Sequence, residues 1–163
     1  MRRLLAIAML AGILTIPAVA TASSSDVNDG TLSVRNGVGR VWIGARGAVI
    51  GRFDSGSVRI VDPADGDPLD IEVWGAEKTR SVSETTDVYS GTNVRFRIVG
   101  RFRITVIGTD VDLSAVGTGR FGLRGNDNDG PDGVFWRNDG PRRSLPNPGP
   151  FDPPLVFFDL SAV

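Results

Sequence analysis

The chain has 163 residues, of which 21 are glycine and 10 are proline, and it contains neither cysteine nor histidine. The absence of cysteine excludes a disulfide framework and a thiolate metal site, and the absence of histidine removes the commonest general base and metal ligand. The 18 basic and 19 acidic residues nearly cancel. No overall charge therefore draws the chain to nucleic acid, and any anionic partner must be bound by a local patch.

Residues 1–22 have the pattern of a secretory signal peptide. Two arginines precede an apolar run at residues 4–14, and small residues follow at positions 20–22. An uncleaved membrane anchor is the alternative, but the apolar run is shorter than the roughly 20 residues that span hydrocarbon. We therefore expect cleavage after residue 22 and a mature protein that is secreted or held at the cell surface, with no membrane span.

Apolar and polar side chains alternate in short runs between residues 31 and 125. This period of two is typical of strands with one buried face, and it predicts about eight strands. The clearest run, residues 94–108, is too long for one straight strand in a small domain, so we expect a bend or bulge at Gly100. Only residues 75–88 lack clear alternation.

Two short segments inside this region, Asn36-Gly37 and Asp54-Ser55-Gly56, have the composition of turns and predict breaks between strands. The resulting fold class is all-β, a single-domain β-sandwich or a partly open β-barrel over residues 23–125. A glycine-rich echo between residues 38–43 and 116–123 raises a β-solenoid as the alternative. A solenoid needs a fixed repeat period, however, and the glycine spacings here vary.

Residues 126–163 form a tail of different composition, with seven of the ten prolines. Because proline cannot donate to a strand ladder, we expect no central strand in this segment. Phe135, Trp136, Phe157 and Phe158 would nevertheless be costly to leave in water. We therefore expect an irregular tail that packs back on the β domain and ends in a short edge strand. A disordered tail is the alternative.

The acidic segment at residues 126–133 is the nearest approach to a metal site. Asp127, Asp129 and Asp132 carry oxygen ligands beside glycine, and calcium loops combine these features. The segment lacks the distal glutamate of an EF-hand loop, and its Asn, Asp, Gly and Pro residues are also the ordinary composition of a surface turn. A calcium loop and a solvated turn are thus the two interpretations, and the sequence indicates no other cofactor.

An arginine stripe occupies odd-numbered positions of the run at residues 94–108. Guanidinium groups match phosphate and carboxylate, so the stripe predicts a face that binds an anionic envelope polymer. The same pattern suits a solvated sheet face with cross-strand aspartates such as Asp110 and Asp112, and a bend at Gly100 would divide the stripe between two surfaces. The four members are Arg95, Arg97, Arg101 and Arg103.

The sequence contains no catalytic motif. Its three glutamates and sixteen aspartates show no spacing that selects an acid and base pair. We therefore favour a non-enzymatic exported module that binds an anionic polymer or a surface protein of the cell envelope. A carboxylate-dependent hydrolase of extracellular polysaccharide is the alternative. Trp42, Trp74, Trp136 and Tyr89 would form a sugar-stacking platform if exposed together, but we expect them to be buried or partly buried.

Five glycine- and arginine-rich motifs accompany the signal peptide, at residues 39–43, 46–52, 89–91, 95–97 and 111–119. In this combination the chain resembles a group of small exported proteins of high-GC bacteria. The resemblance covers residues 31–125 and implies an exported β domain of no known activity. It carries over no functional residues, and the proline-rich tail lies outside it.

Overall fold

The computed structural model describes residues 29–63, 68–126, 132–147 and 155–161. The predicted signal peptide and the aspartates at positions 127 and 129 lie outside these ranges. The described residues form strands and no helix, which confirms the all-β prediction. None of them belongs to a helix long and apolar enough to span a membrane. The strands are β1 (Gly30–Val61), β2 (Asp70–Ser83), β3 (Thr86–Gly125), β4 (Val134–Arg137), β5 (Arg143–Ser144) and β6 (Val156–Asp159).

The predicted alternation decides which side chains face the core. Along β3, Phe96, Ile98 and Phe102 are buried while the arginines between them point outward. Leu32 and Val34 of β1 are buried in the same way. Because every second side chain leaves water, the inner face of the sheet supplies one continuous hydrophobic cluster.

Two strands, β1 and β3, build most of the sheet. Residues 39–61 of β1 lie between two stretches of β3, residues 86–108 on one side and residues 103–125 on the other. Residues 103–108 therefore pair with residues 39–44 of β1 and also with residues 56–61. The sheet coils around its core without closing into a barrel. All pairings between the described strands are antiparallel, which excludes the parallel stacking of a β-solenoid for this part of the chain.

Glycines occupy the positions where the coiled strands change direction. Gly47 of β1 pairs with both Gly100 and Gly117 of β3, and all three have positive φ angles, of 153°, 126° and 145°. A Cβ atom on Gly47 would overlap the carbonyl oxygen of Val116. Pairing with β1 continues one for one on either side of Gly100, so Gly100 is a bend and adds no extra residue to the strand.

The predicted turn at Asn36-Gly37 is wrong, because β1 runs through it. Val34 pairs with Leu113 and Gly37 pairs with Val111, so two residues of β1 lie opposite one residue of β3. Asn36, with φ at 53°, therefore belongs to a bulge. The segment Asp54-Ser55-Gly56 likewise lies inside β1. Positive φ serves a bulge or a bend as well as a hairpin turn, and for this reason the described chain has fewer and longer strands than expected.

The stretch without alternation, residues 75–88, holds the one tight turn between long strands in the described chain. Ser83 pairs with Thr86 across Glu84 and Thr85. The end of β2 lies at the sheet edge, and residues 81–83 are exposed. Exposed residues at the end of an edge strand need no alternating pattern, so residues 81–83 gave no periodic signal.

The described parts of the tail belong to the same sheet. β4 pairs with β1, β5 pairs with β4, and β6 pairs with β3. Phe135, Leu145 and Leu160 are buried in the core. The expectation that the tail has no central strand is wrong for β4, which has neighbours on both sides, because its four residues include no proline.

Candidate functional site

The bend at Gly100 divides the arginine stripe between two concave regions of the outer face. Arg95 lies in the first, and Arg101 and Arg103 lie in the second. Arg97 stands between them, where it pairs with the carboxylates of Asp70 at 2.7 Å and Glu72 at 3.7 Å. The hydrogen bond to Asp70 raises the pKa of Arg97. Arg97 therefore has the acidic partners that a solvated sheet face predicts. The other three arginines lie in the two concave regions.

The first region is an open groove of about 750 Å³. One row of directly paired residues crosses it, from Trp74 on β2 through Arg95 on β3 and Arg52 on β1 to Asp112 on β3. Directly opposite side chains on one sheet face lie about 5 Å apart at Cβ, so each residue of the row reaches the next, and Trp74 and Asp112 at its ends are about 15 Å apart. Ile50 lines the groove beside this row and is 59% exposed. We call this region, defined by Arg35, Ile50, Arg52, Trp74, Arg95 and Asp112, the groove.

Asp112 is the fixed anion of the groove. Its Oδ1 accepts a hydrogen bond from the backbone N–H of Asn36 at 2.9 Å, and its Oδ2 accepts two from Arg52, at 2.7 Å and 3.0 Å. Burial alone would raise the pKa of Asp112, but these hydrogen bonds and the charges of Arg52 and Arg35 hold it below its ordinary value. The hydrogen bonds between Arg52 and Asp112 raise the pKa of Arg52. Asp112 and Arg52 are therefore both ionised at neutral pH.

We expect the substitution Asp112→Asn to destabilise the protein in a pH-dependent way. Because the pKa of Asp112 is lower in the folded state, its stabilisation is complete above the unfolded-state value of 3.8 and is lost as pH falls through the folded-state value. The difference in unfolding free energy between parent and variant should therefore shrink below about pH 3.8. Urea unfolding of both proteins between pH 7 and pH 2 measures it. A difference independent of pH would contradict the assignment.

The two remaining arginines of the groove differ in how they are held. Arg35 donates to the carbonyl oxygens of Val34 at 2.7 Å and Leu113 at 2.9 Å, and its guanidinium lies 5.6 Å from the ring centre of Trp136. Arg35 is therefore held in one position by these contacts and forms part of the groove wall. Arg95 is exposed and has no hydrogen-bond or ion-pair partner within the described part of the chain. Its guanidinium is available to an incoming anion.

The second region is a basic depression of about 640 Å³ around Gly44. Gly44 pairs with both Arg103 and Arg120, and the Trp42 ring lies over Gly44 in place of a side chain. Arg120 approaches Asp159 at 3.7 Å, with both side chains mostly exposed. No hydrogen-bond or ion-pair partner of Arg103 is present among the described residues. The region, which we call the basic depression, is defined by Trp42, Gly44, Arg46, Arg101, Arg103 and Arg120.

The tryptophans are distributed over the outer face and do not form one platform. Trp42 and Trp136 are partly buried, as expected. Trp42 packs edge-on against Phe157, with 5.6 Å between the ring centroids. Trp74 is 50% exposed, so the expectation of burial is wrong there. The reason is that β2 is an edge strand, and this part of its outer face borders only the groove.

Only one of the three aspartates predicted to bind calcium, Asp132, lies in the described chain. Its backbone carbonyl accepts a hydrogen bond from Val38 N–H at 2.9 Å. Within the described ranges no group of three acidic side chains is close enough to hold a metal ion. Because Asp127 and Asp129 lie outside these ranges, the calcium loop stays a prediction.

Sequence reasoning missed three members of the groove, Arg35, Arg52 and Ile50. The alternation does place Arg52 outward, but nothing in the local sequence shows that it pairs with Arg95 and Asp112. The aspartate named as a cross-strand partner of the stripe, Asp112, pairs with Arg52 instead. Within its described lining the groove has a single carboxylate, Asp112, whereas glycoside hydrolysis requires two carboxylates flanking the bond.

The chain was compared with protein-family models, with curated proteins and with solved structures. None of the three comparisons found a match.

Proposed function

We propose that this chain is an exported, non-enzymatic β module that binds an anionic polymer of the cell envelope across the outer face of its sheet. The observation that carries the proposal is the position of Arg95 and Arg103. Each lies in a concave region, and each lacks an acidic partner in the described chain. The secretory pattern of residues 1–22 supports export.

The geometry suits a polymer better than a small anion. Arg95 and Arg103 are eight residues apart on one strand, so their Cα atoms are no more than about 26 Å apart. An exposed ion pair is worth only about 1 kcal/mol or less by itself. A chain that carries a charge on each repeat can bind both regions at once, and the second contact then forms at a high effective concentration. The whole chain has a net charge of −1. Salt screens the distant acidic residues more than the arginines that touch the polymer, so these arginines dominate the electrostatic interaction.

A salt-dependence experiment tests this proposal. The purified protein is titrated with polygalacturonate, with polyphosphate and with neutral dextran, at about 50 mM and about 300 mM salt. We expect at least one polyanion to bind, more weakly at the higher salt concentration, and dextran not to bind. The double variant Arg95→Gln/Arg103→Gln should lose affinity about tenfold, which corresponds to two exposed charge contacts.

The matched control is Arg40→Gln/Arg143→Gln, which removes two exposed arginines that line neither region. It should bind as the parent does, apart from a small general effect of charge. Salt-insensitive binding, or an equal loss of affinity in both double variants, would overturn the proposal. The absence of polyanion binding at low salt would do the same.

A further inference from the structure

The groove differs from the basic depression in having apolar walls. Trp74, on the edge strand, and Ile50, on β1, are 50% and 59% exposed, and the strand that carries Arg95 lies between them. Trp74 and Ile50 therefore offer apolar surface beside a guanidinium that has no partner in the described chain, and covering that surface with a ligand is favourable. A ligand that fits must offer an apolar face and a negative charge within the same unit.

The groove also contains a fixed hydrogen-bond acceptor. An ionised carboxylate can accept about four hydrogen bonds, and Asp112 accepts three from the protein. It therefore keeps acceptor capacity for a ligand hydroxyl. Its negative charge, which lies in the same row as Arg95, disfavours a ligand that carries a phosphate at every repeat. The combination favours a unit with one carboxylate and several neutral hydroxyl groups.

We infer that the groove is a subsite for two adjoining uronic-acid units of an acidic polysaccharide. The ring of one unit stacks on Trp74 and its carboxylate binds Arg95, and a hydroxyl of the adjoining unit donates to Asp112. The neighbouring units of the polymer extend over the outer face. This inference rests on the proposed function, because it names the class of polymer that the module binds.

The test uses three soluble probes: trigalacturonate, a neutral galactose trisaccharide of the same length, and polyphosphate. Isothermal titration should show that the parent binds trigalacturonate more tightly than the neutral trisaccharide. Trp74→Ala should weaken the binding of trigalacturonate about tenfold, the factor that 1.4 kcal/mol represents. It should leave the affinity for polyphosphate unchanged. Arg95→Gln should remove the preference for the acidic over the neutral trisaccharide.

Val82→Ala is the matched control for Trp74→Ala, because Val82 is an exposed apolar residue of the same strand outside the groove. It should bind all three probes as the parent does, and the melting temperature of each variant shows that it is folded. Polyphosphate binding without trigalacturonate binding would overturn this inference and leave the proposed function intact. Trigalacturonate binding that Trp74→Ala leaves unchanged would also overturn it. Failure of both polyanions would overturn the inference and the proposed function together.

Discussion

Replacing Phe121 with alanine is expected to destabilise the protein by about 4 kcal/mol, the usual cost of truncating a fully buried phenylalanine. Phe121 of β3 is 0% exposed. Its ring stacks on Phe158 of β6 at 5.2 Å between centroids and meets Phe135 of β4 edge-on at 6.5 Å. The substitution therefore removes apolar burial and also the ring contacts of β3 with two tail strands, which add to their strand pairing.

The control for Phe121→Ala is Phe157→Ala. Phe157 precedes Phe158 on β6, but its side chain points outward, is 47% exposed and contacts the Trp42 ring edge-on, so its removal should cost about 1 to 2 kcal/mol, clearly less than the removal of Phe121. Urea unfolding followed by tryptophan fluorescence and far-ultraviolet circular dichroism measures both variants, and the two signals should change together. If Phe121→Ala cost no more than Phe157→Ala, the tail strands would not pack against β3 as described.

Replacing Gly47 with alanine is expected to destabilise the protein by about 3 kcal/mol. Two effects add. Alanine at a φ of 153° is strained, and its Cβ atom would overlap the carbonyl oxygen of Val116, a backbone atom that cannot rotate away. Because Gly47 pairs with Gly100 and Gly117 at the same bend, relief of the overlap would require three strand segments to move together.

Gly44→Ala is the matched control, since Gly44 is in the same strand and has no positive φ. A methyl group there meets the Trp42 ring, a side chain at the surface that can shift, so the loss of stability should be clearly smaller. Thermal and urea unfolding of both variants provide the measurement. Equal destabilisation of the two variants would mean that Gly47 is not a required bend.

The outer faces on the two sides of this bend supply the groove and the basic depression. Arg95 and Arg103 lie on the same strand, but the bend at Gly100 separates the regions in which they lie. A stiff polymer that binds both must follow the curvature of the sheet. The strain introduced by Gly47→Ala should therefore also weaken binding in protein that remains folded.

Much of the fold could be predicted because period-two alternation is a local property. It placed Phe96 and Phe102 in the core and Arg95 on the surface without any knowledge of strand partners. The turn signals failed at Asn36-Gly37, because a bulge and a hairpin turn require the same positive φ. Local sequence shows that the backbone departs from an extended conformation at such a position. It does not show whether the chain reverses there.

The candidate site could be predicted only in part. Its outward arginines were visible in the alternation, whereas the row from Trp74 through Arg95 and Arg52 to Asp112 was not. These four residues come from separate strand segments. In the ion pair, Arg52 and Asp112 are 60 residues apart along the chain. The sequence alone determined that this is an all-β chain with an apolar inner face and an arginine-rich outer face, because alternation acts between neighbouring residues. Only the tertiary structure decided which outward side chains meet, because strand register depends on pairing between distant segments and on glycine bends that let β1 lie between two stretches of β3.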